Sequence, residues 1–212
     1  MRIAAVQSAS AALPESRPVP VRRPALIIAL HWATVFALLA ATVLVLTREG
    51  VEAKPLRAFL LDGHRSFGLI VLCAAFARLA ARILHYPLGS LSSLPRPLRL
   101  AADATHGLLY ALLFALPLLG LALSGARGNP VTLFGLGPLP ALLQRDLDLA
   151  DVLADYHVWA AWALLALVSL HALAALWHHF VHRDPVLTAM LPARPARARP
   201  DLSLRNPDST TV

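Results

Sequence analysis

The 212-residue chain contains a single cysteine, Cys73. One thiol excludes a disulfide framework, a cysteine-ligated zinc or iron–sulfur centre, and the C-x-x-C-H attachment of a c-type haem. Charge is scarce as well: 15% of residues are charged, against about 25% in a soluble domain. Hydrophobic residues make up 58% and the mean hydropathy is +0.63. Such a chain is too apolar for water, and its middle part is too apolar for disorder. The formal net charge of +7 would fit a nucleic-acid partner only if it sat on a soluble surface. What is present instead is nine histidines in an integral membrane protein.

Residues 1–24, rich in Ala, Pro, Ser and Arg, read as a mobile N-terminal arm. The pair Arg22-Arg23 resembles a twin-arginine export signal, but the apolar run Ala25–Thr47 is 23 residues long, well beyond a signal core of about 7–15. At ~1.5 Å per residue it crosses the ~30 Å hydrocarbon core and reads as a retained transmembrane helix. The second span runs from about His64 to His85, with Arg78 and Arg82 snorkelling to the interface. The third, about His106–Ser124, contains Pro117, which membrane helices tolerate. The fourth runs from about His157 to Val181. The expected architecture is an all-α membrane protein, a four-transmembrane-helix bundle over 25–184, followed by a disordered Pro/Arg-rich tail over 185–212.

Basic residues set the orientation. The arm, the Arg78–Arg99 connection and the tail hold 13 of the 19 Lys and Arg. The other connections, 48–65 and 127–156, hold six cations against seven acids. The asymmetry places both termini in the cytoplasm. The net charge is then an address on the membrane, with lipid as its partner and no nucleic acid.

An imidazole at membrane depth is costly and is a functional candidate by default. His31 lies about one and a half turns into the first span, on the inner side. His157 opens the fourth, and His171 follows fourteen residues later, nearly on the same face and ~21 Å deeper. His64 opens the second span on the outer side. His64 and His157 therefore share the outer level, and His31 and His171 the inner half. Two imidazole pairs bridging different helices suit two bis-histidine haems, non-covalent and therefore b-type. Gly68, Ala160, Ala161, Ala174 and Ala175 lie about one turn from the outer or inner histidines and leave room for a macrocycle; small residues also serve plain helix packing.

Alternatives stand beside this reading. A membrane histidine also makes interhelical hydrogen bonds. A haem-free metal or proton transport site would recruit midplane carboxylates, and none lies inside the four spans. Toward the cytoplasm, His178 follows His171 on nearly the same face, His182 follows one turn later, His179 points elsewhere, and His85 and His106 flank the inner connection. Any of these suits a proton-coupled quinone site or ordinary interfacial solvation. Trp32, Trp159, Trp162 and Trp177 read as headgroup anchors, and Cys73 as a small core residue.

The stretches Leu30-His31-Trp32, Gly63-His64-Arg65-Ser66-Phe67-Gly68 with Arg78 and Arg82, and His106–Gly120 followed by Ala126-Arg127-Gly128-Asn129-Pro130 form an ordered set. Tyr156-His157, His171-Ala172, Trp177-His178-His179 and Met190-Leu191-Pro192 complete it. Over about residues 24–192 the chain resembles bacterial cytochrome b561 in its short four-helix form, and within it the superoxide oxidase-like proteins. Many members have a glutamate after the first histidine of the fourth helix, where this chain has Val158.

The resemblance implies a dihaem protein of the bacterial cytoplasmic membrane with iron ligands on His31, His64, His157 and His171. It also implies electron exchange with ubiquinone, and oxidation of periplasmic superoxide to dioxygen. By position His178 borders the quinone and is the expected catalytic residue. Arg65 and Arg127 are the expected cofactor-binding partners of the outer haem propionates, since guanidinium pairs carboxylate bidentately; Arg78 and Arg82 serve the inner haem or simply snorkel. Superoxide is an anion, so its capture calls for a positive outer patch from which Asp146, Asp148, Asp151 and Asp155 are turned away. The alternative within the same class is a membrane-anchor subunit relaying electrons between quinone and a protein redox partner.

Overall fold

The computed structural model describes residues 24–85, 96–183 and 186–191. Four long helices carry the described chain: α1 (Ala25–Glu49), α2 (Lys54–His85), α3 (Arg96–Ala126) and α4 (Leu147–Trp177). Each is long and apolar enough to cross a bilayer, and the fold is the expected all-α membrane bundle. α4 continues into a π-helical turn, His178–His182, and the chain then makes a 3-10 turn at Thr188–Met190.

The last three helices start earlier than the apolar runs do. Expected near His64, His106 and His157, they begin at Lys54, Arg96 and Leu147. Hydropathy marks only the part of a helix inside hydrocarbon, whereas the backbone continues its hydrogen-bond pattern into the polar zone. At α4 the start is set by Asp146, whose carboxylate accepts from the Leu149 N–H at 3.0 Å, with Asp148 favouring the positive end of the helix dipole. His64 and His157 therefore sit about three turns inside their helices, not at the first turn.

The expected arm over 1–24 and tail over 185–212 lie mostly outside the described residues. Within the tail, residues 186–191 are folded against α1: the Trp32 indole N–H donates to the Met190 carbonyl at 2.7 Å. Trp32, expected at the headgroups, thus has its polar atom engaged within the protein.

α1 packs on α2 and α3 on α4, with a slimmer α2–α3 seam joining the pairs; α4 makes no extended backbone contact with α1 or α2. The α1 seam is a stripe of Thr34, Ala37 and Ala41, three and four residues apart and so on one face. Small side chains there let α2 approach, and Val71 and Ala75 pack with Ala37. A single dry cluster joins all four helices: Ala37, Val71, Ala75, Leu113 and Leu164. Leu164 is seven residues from both His157 and His171, so the cluster lies ~10 Å from each. The hydroxyls of Thr34, Thr42 and Ser169 bond to carbonyls four residues back, which satisfies them without water.

The α3–α4 connection folds into a cap on the outer end. Asn129 N–H bonds to the Ser124 carbonyl, Leu139 N–H to Val131 and Asp146 N–H to Ala126. Gly125 lets this chain return tightly, since a Cβ there would lie 3.1 Å from the Leu143 backbone. Ser66 of α2 pins the cap: fully buried, its hydroxyl donates to the Thr132 carbonyl at 3.2 Å and accepts from Phe134 N–H at 2.9 Å. Those bonds hold Phe134 at φ 48°, a left-handed conformation a bulky residue resists, with its ring edge-on to Phe67 at 5.5 Å. We expect Ser66→Ala to cost about 1–3 kcal/mol by removing both hydrogen bonds, to the Thr132 carbonyl and from the Phe134 N–H. Thermal unfolding in detergent checks this, and an unchanged midpoint would remove Ser66 as the pin.

Candidate functional site

At the outer level the His64 and His157 rings face each other across α2 and α4, centroids 6.1 Å apart and planes at 76°. The His64 Nδ1 lies 2.9 Å from the Ala41 carbonyl. A carbonyl only accepts, so Nδ1 carries the proton and Nε2 keeps its lone pair. A metal-ligating histidine is commonly prepared this way. His157 Nδ1 is buried without a completed hydrogen bond, with the Leu116 carbonyl beside the ring. α3 comes close because residue 120 is glycine: a Cβ there would stand 3.2 Å from His157 Cε1.

Around this pair is a set of guanidiniums. Arg48 and Arg65 lie within electrostatic reach of His64, and Arg127 within reach of Arg65. Arg65 contacts Asp62 at 3.4 Å and Arg48 contacts Glu49 at 3.1 Å, the arginine side chains being 15% and 27% exposed. Asp146, Asp148, Asp151 and Asp155 are all exposed. The near-neutral sum of the outer segments thus resolves into arginines drawn in toward the histidines and aspartates left outside.

At the inner level His31, His171 and Arg78 lie within electrostatic reach of one another, together with His106. The His106 ring meets His171 edge to face at 5.3 Å, and its Nδ1–H donates to the Ala102 carbonyl at 2.7 Å. The Nδ1 of His31 is buried and unpartnered. The Arg78 guanidinium lies over the Tyr110 ring, 5.6 Å from its centre. His178 sits in the π-helical turn with its ring 5.2 Å from that of His182, while His179 turns to Phe180. Single-turn π-helices are frequent at functional sites.

Among the described residues no three or more His, Cys, Asp or Glu side chains converge on one point. The metal-binding unit on offer is therefore the imidazole pair. Two imidazoles on opposite sides of one ion, each bonded at about 2 Å, have centres roughly 6 Å apart; the 6.1 Å of His64 and His157 meets that spacing. Gly68, one turn inward from His64, has no atom within 4 Å of where a Cβ would stand, so α2 leaves space for a flat group beside its histidine. The residues fit a haem.

Sequence reasoning put His106 at the edge of the inner connection; the structure puts its ring on His171. Arg48 was read only as one of several outer cations, and nothing in composition ties Ser66 to a cap 66 residues away.

A family model described as prokaryotic cytochrome b561 matches residues 22–193. Cytochrome b561 homolog 2 of Escherichia coli (strain K12) is 38% identical over 128 residues, covering 60% of this chain and 68% of the relative. Probable superoxide oxidase CybB of Yersinia pestis is 32% identical over 168 residues, covering 79% and 94%. Cytochrome b561 homolog 1 of Escherichia coli (strain K12) is 31% identical over 170 residues, covering 78% and 94%. With a match across most of the bundle and paired imidazoles between its helices, the chain belongs to the prokaryotic cytochrome b561 family, multi-pass bacterial membrane proteins that bind haem b and transfer electrons.

Proposed function

We propose that the chain binds two b haems and carries electrons from superoxide on the periplasmic side to ubiquinone near the cytoplasmic side. The observation that carries this reading is the facing His64 and His157 pair, with one Nδ1–H fixed by a carbonyl. His31 and His171 are the corresponding inner pair. Haem iron, when bound, supplies reversible one-electron transfer, and the protein supplies orientation, dielectric and access. The dry layer around Leu164 keeps water from the interval between the two levels.

At the outer surface Arg65 and Arg127 hold propionates, and the inward-drawn arginines give the positive field that an anionic substrate requires. The name of the Yersinia pestis relative supports superoxide as that substrate. Two superoxide ions give two dioxygen molecules and two electrons; ubiquinone takes up two electrons and two protons. At the inner end His178 hydrogen-bonds the quinone and passes protons to its carbonyl oxygen. The 13 inner cations put both termini in the cytoplasm.

A second reading, a membrane anchor that relays electrons to a docked redox protein, is favoured by the tip of the cap. Leu136 is 85% exposed there between Gly135 and Gly137, both with positive φ. Copurification of a redox subunit, with no superoxide-driven turnover by the chain alone, would favour it.

We expect about two b haems per chain in detergent-purified protein. His64→Ala should remove the outer haem and His171→Ala the inner one, each with loss of superoxide-driven ubiquinol formation. A variant that kept both haems at full occupancy would show the pairing to be wrong. Gly120→Ala should push the His157 ring by a few tenths of an ångström. The low-spin resonance lost in His64→Ala should therefore shift in Gly120→Ala while the inner signal stays. If both spectra match wild type, α3 does not position His157.

A further inference from the structure

The two levels have an exchange of roles built into α1 and α2. α2 and α4 run in the same direction, and His64 and His157 meet at one depth. Fourteen residues further, α4 presents His171 and α2 presents Arg78, both ~21 Å deeper and close to the face of their starting histidines. α1 runs the other way: His31 is at the inner level, and Arg48 follows seventeen residues later, ~25 Å toward the outer level. Beside Arg65 and Arg127 at the outer level and His106 at the inner, each level thus has an imidazole pair and one guanidinium from α1 or α2. The helix that gives the imidazole at one end gives the arginine at the other.

Both arginines lack an adequate anion. Arg48 contacts Glu49 through one Nη, but its Nε is buried and unpaired. Arg78 has no carboxylate within ion-pair distance among the described residues, whose ion pairs are Arg48–Glu49 and Arg65–Asp62. Its guanidinium is held over Tyr110, one turn beyond the His106 that packs on His171. α3 therefore backs the inner site without supplying one of the paired imidazoles. A cation held at membrane depth against an aromatic face, beside three histidines and no acid, needs an anion brought from outside the chain.

We propose that this anion is a haem propionate at each level: Arg48 clamps the outer haem, and Arg78, held in place by Tyr110, clamps the inner one. The proposal rests on the two-haem reading above and adds what that reading lacks, an inner carboxylate partner and a third outer one. A guanidinium matches a carboxylate through two parallel N–H donors, which lysine cannot reproduce. A positive charge beside a haem also favours its reduced form, so removing the charge lowers that haem's midpoint potential.

The test is a redox titration of the purified full-length holoprotein, followed optically and by electron paramagnetic resonance, with haem-to-protein ratios. His64→Ala and His171→Ala assign the two signals. Arg78→Leu should weaken retention of the inner haem about tenfold and lower its potential, leaving the outer haem as the folding control. Arg48→Leu should do the same to the outer haem alone. Tyr110→Phe, which keeps the aromatic face, should behave as wild type, and Tyr110→Leu should follow Arg78→Leu in direction.

If Arg78→Leu leaves both haems and both potentials unchanged, its anion is a lipid phosphate and the proposal is overturned, with the two-haem reading intact. An effect of Arg48→Leu on the inner haem and not the outer overturns the exchange of roles. Should a leucine variant lose both haems, the milder neutral variants Arg78→Gln and Arg48→Gln decide: a lowered potential confined to the assigned haem supports the clamp, and wild-type potentials overturn it. Fewer than two haems in the wild-type protein would remove the two-haem reading itself.

Discussion

Hydrocarbon offers no hydrogen bonds, and the arrangement of this protein follows from that. Every backbone group must be satisfied within a helix, so the described chain is helical wherever it crosses the bilayer. The hydroxyls of Thr34, Thr42 and Ser169 turn back onto their own helices. The groups that cannot do so, imidazoles and guanidiniums, are gathered at two depths, with the apolar cluster around Leu164 between them. Burying them singly would be costly. Concentrating them sets imidazole and guanidinium side by side, where one iron-bearing dianion satisfies both.

The close-packed helix pairs and the loose contact between them serve the same end. α1 and α2 are drawn together by alanines and a threonine, and α3 and α4 pack on each other, but α4 barely approaches the first pair at the backbone. The space that remains is bridged by the histidines and Leu164. A bundle packed equally on all sides would have no slot for a macrocycle. Gly68 and Gly120 act at opposite edges of the outer slot, one leaving room beside a histidine and the other letting α3 support one.

Much of this was legible in the sequence because it depends on distance along a helix. Four apolar runs give four spans, and a fixed rise per residue sorts His31, His64, His157 and His171 by depth. What depends on rotation of one helix about another was not legible. His106 was known by depth, yet only the packing of α3 on α4 shows that its ring meets His171. Arg78 read equally well as a snorkelling side chain until Tyr110 was found beneath it. The helix starts were misplaced because hydropathy fades at the headgroups, where Asp146 caps α4. The cap was invisible because Ser66 and Thr132 are far apart in sequence, and the stretch that holds Ser66 does not say what its hydroxyl meets.

The bond from Trp32 to Met190 joins positions 158 residues apart, directly beside the inner histidine of α1. Since α1 and α4 share no extended backbone seam, this strap of Thr188–Met190 is a direct tie between the first helix and the chain that follows the last. The order of synthesis then matters. α1 and α2 pair as soon as both have entered the bilayer, and the outer end can be capped once α4 begins. The inner end is fastened only after Met190 has left the ribosome, because contacts of such long sequence separation form late. The inner level stays open until then, and the segment that follows α4 closes it.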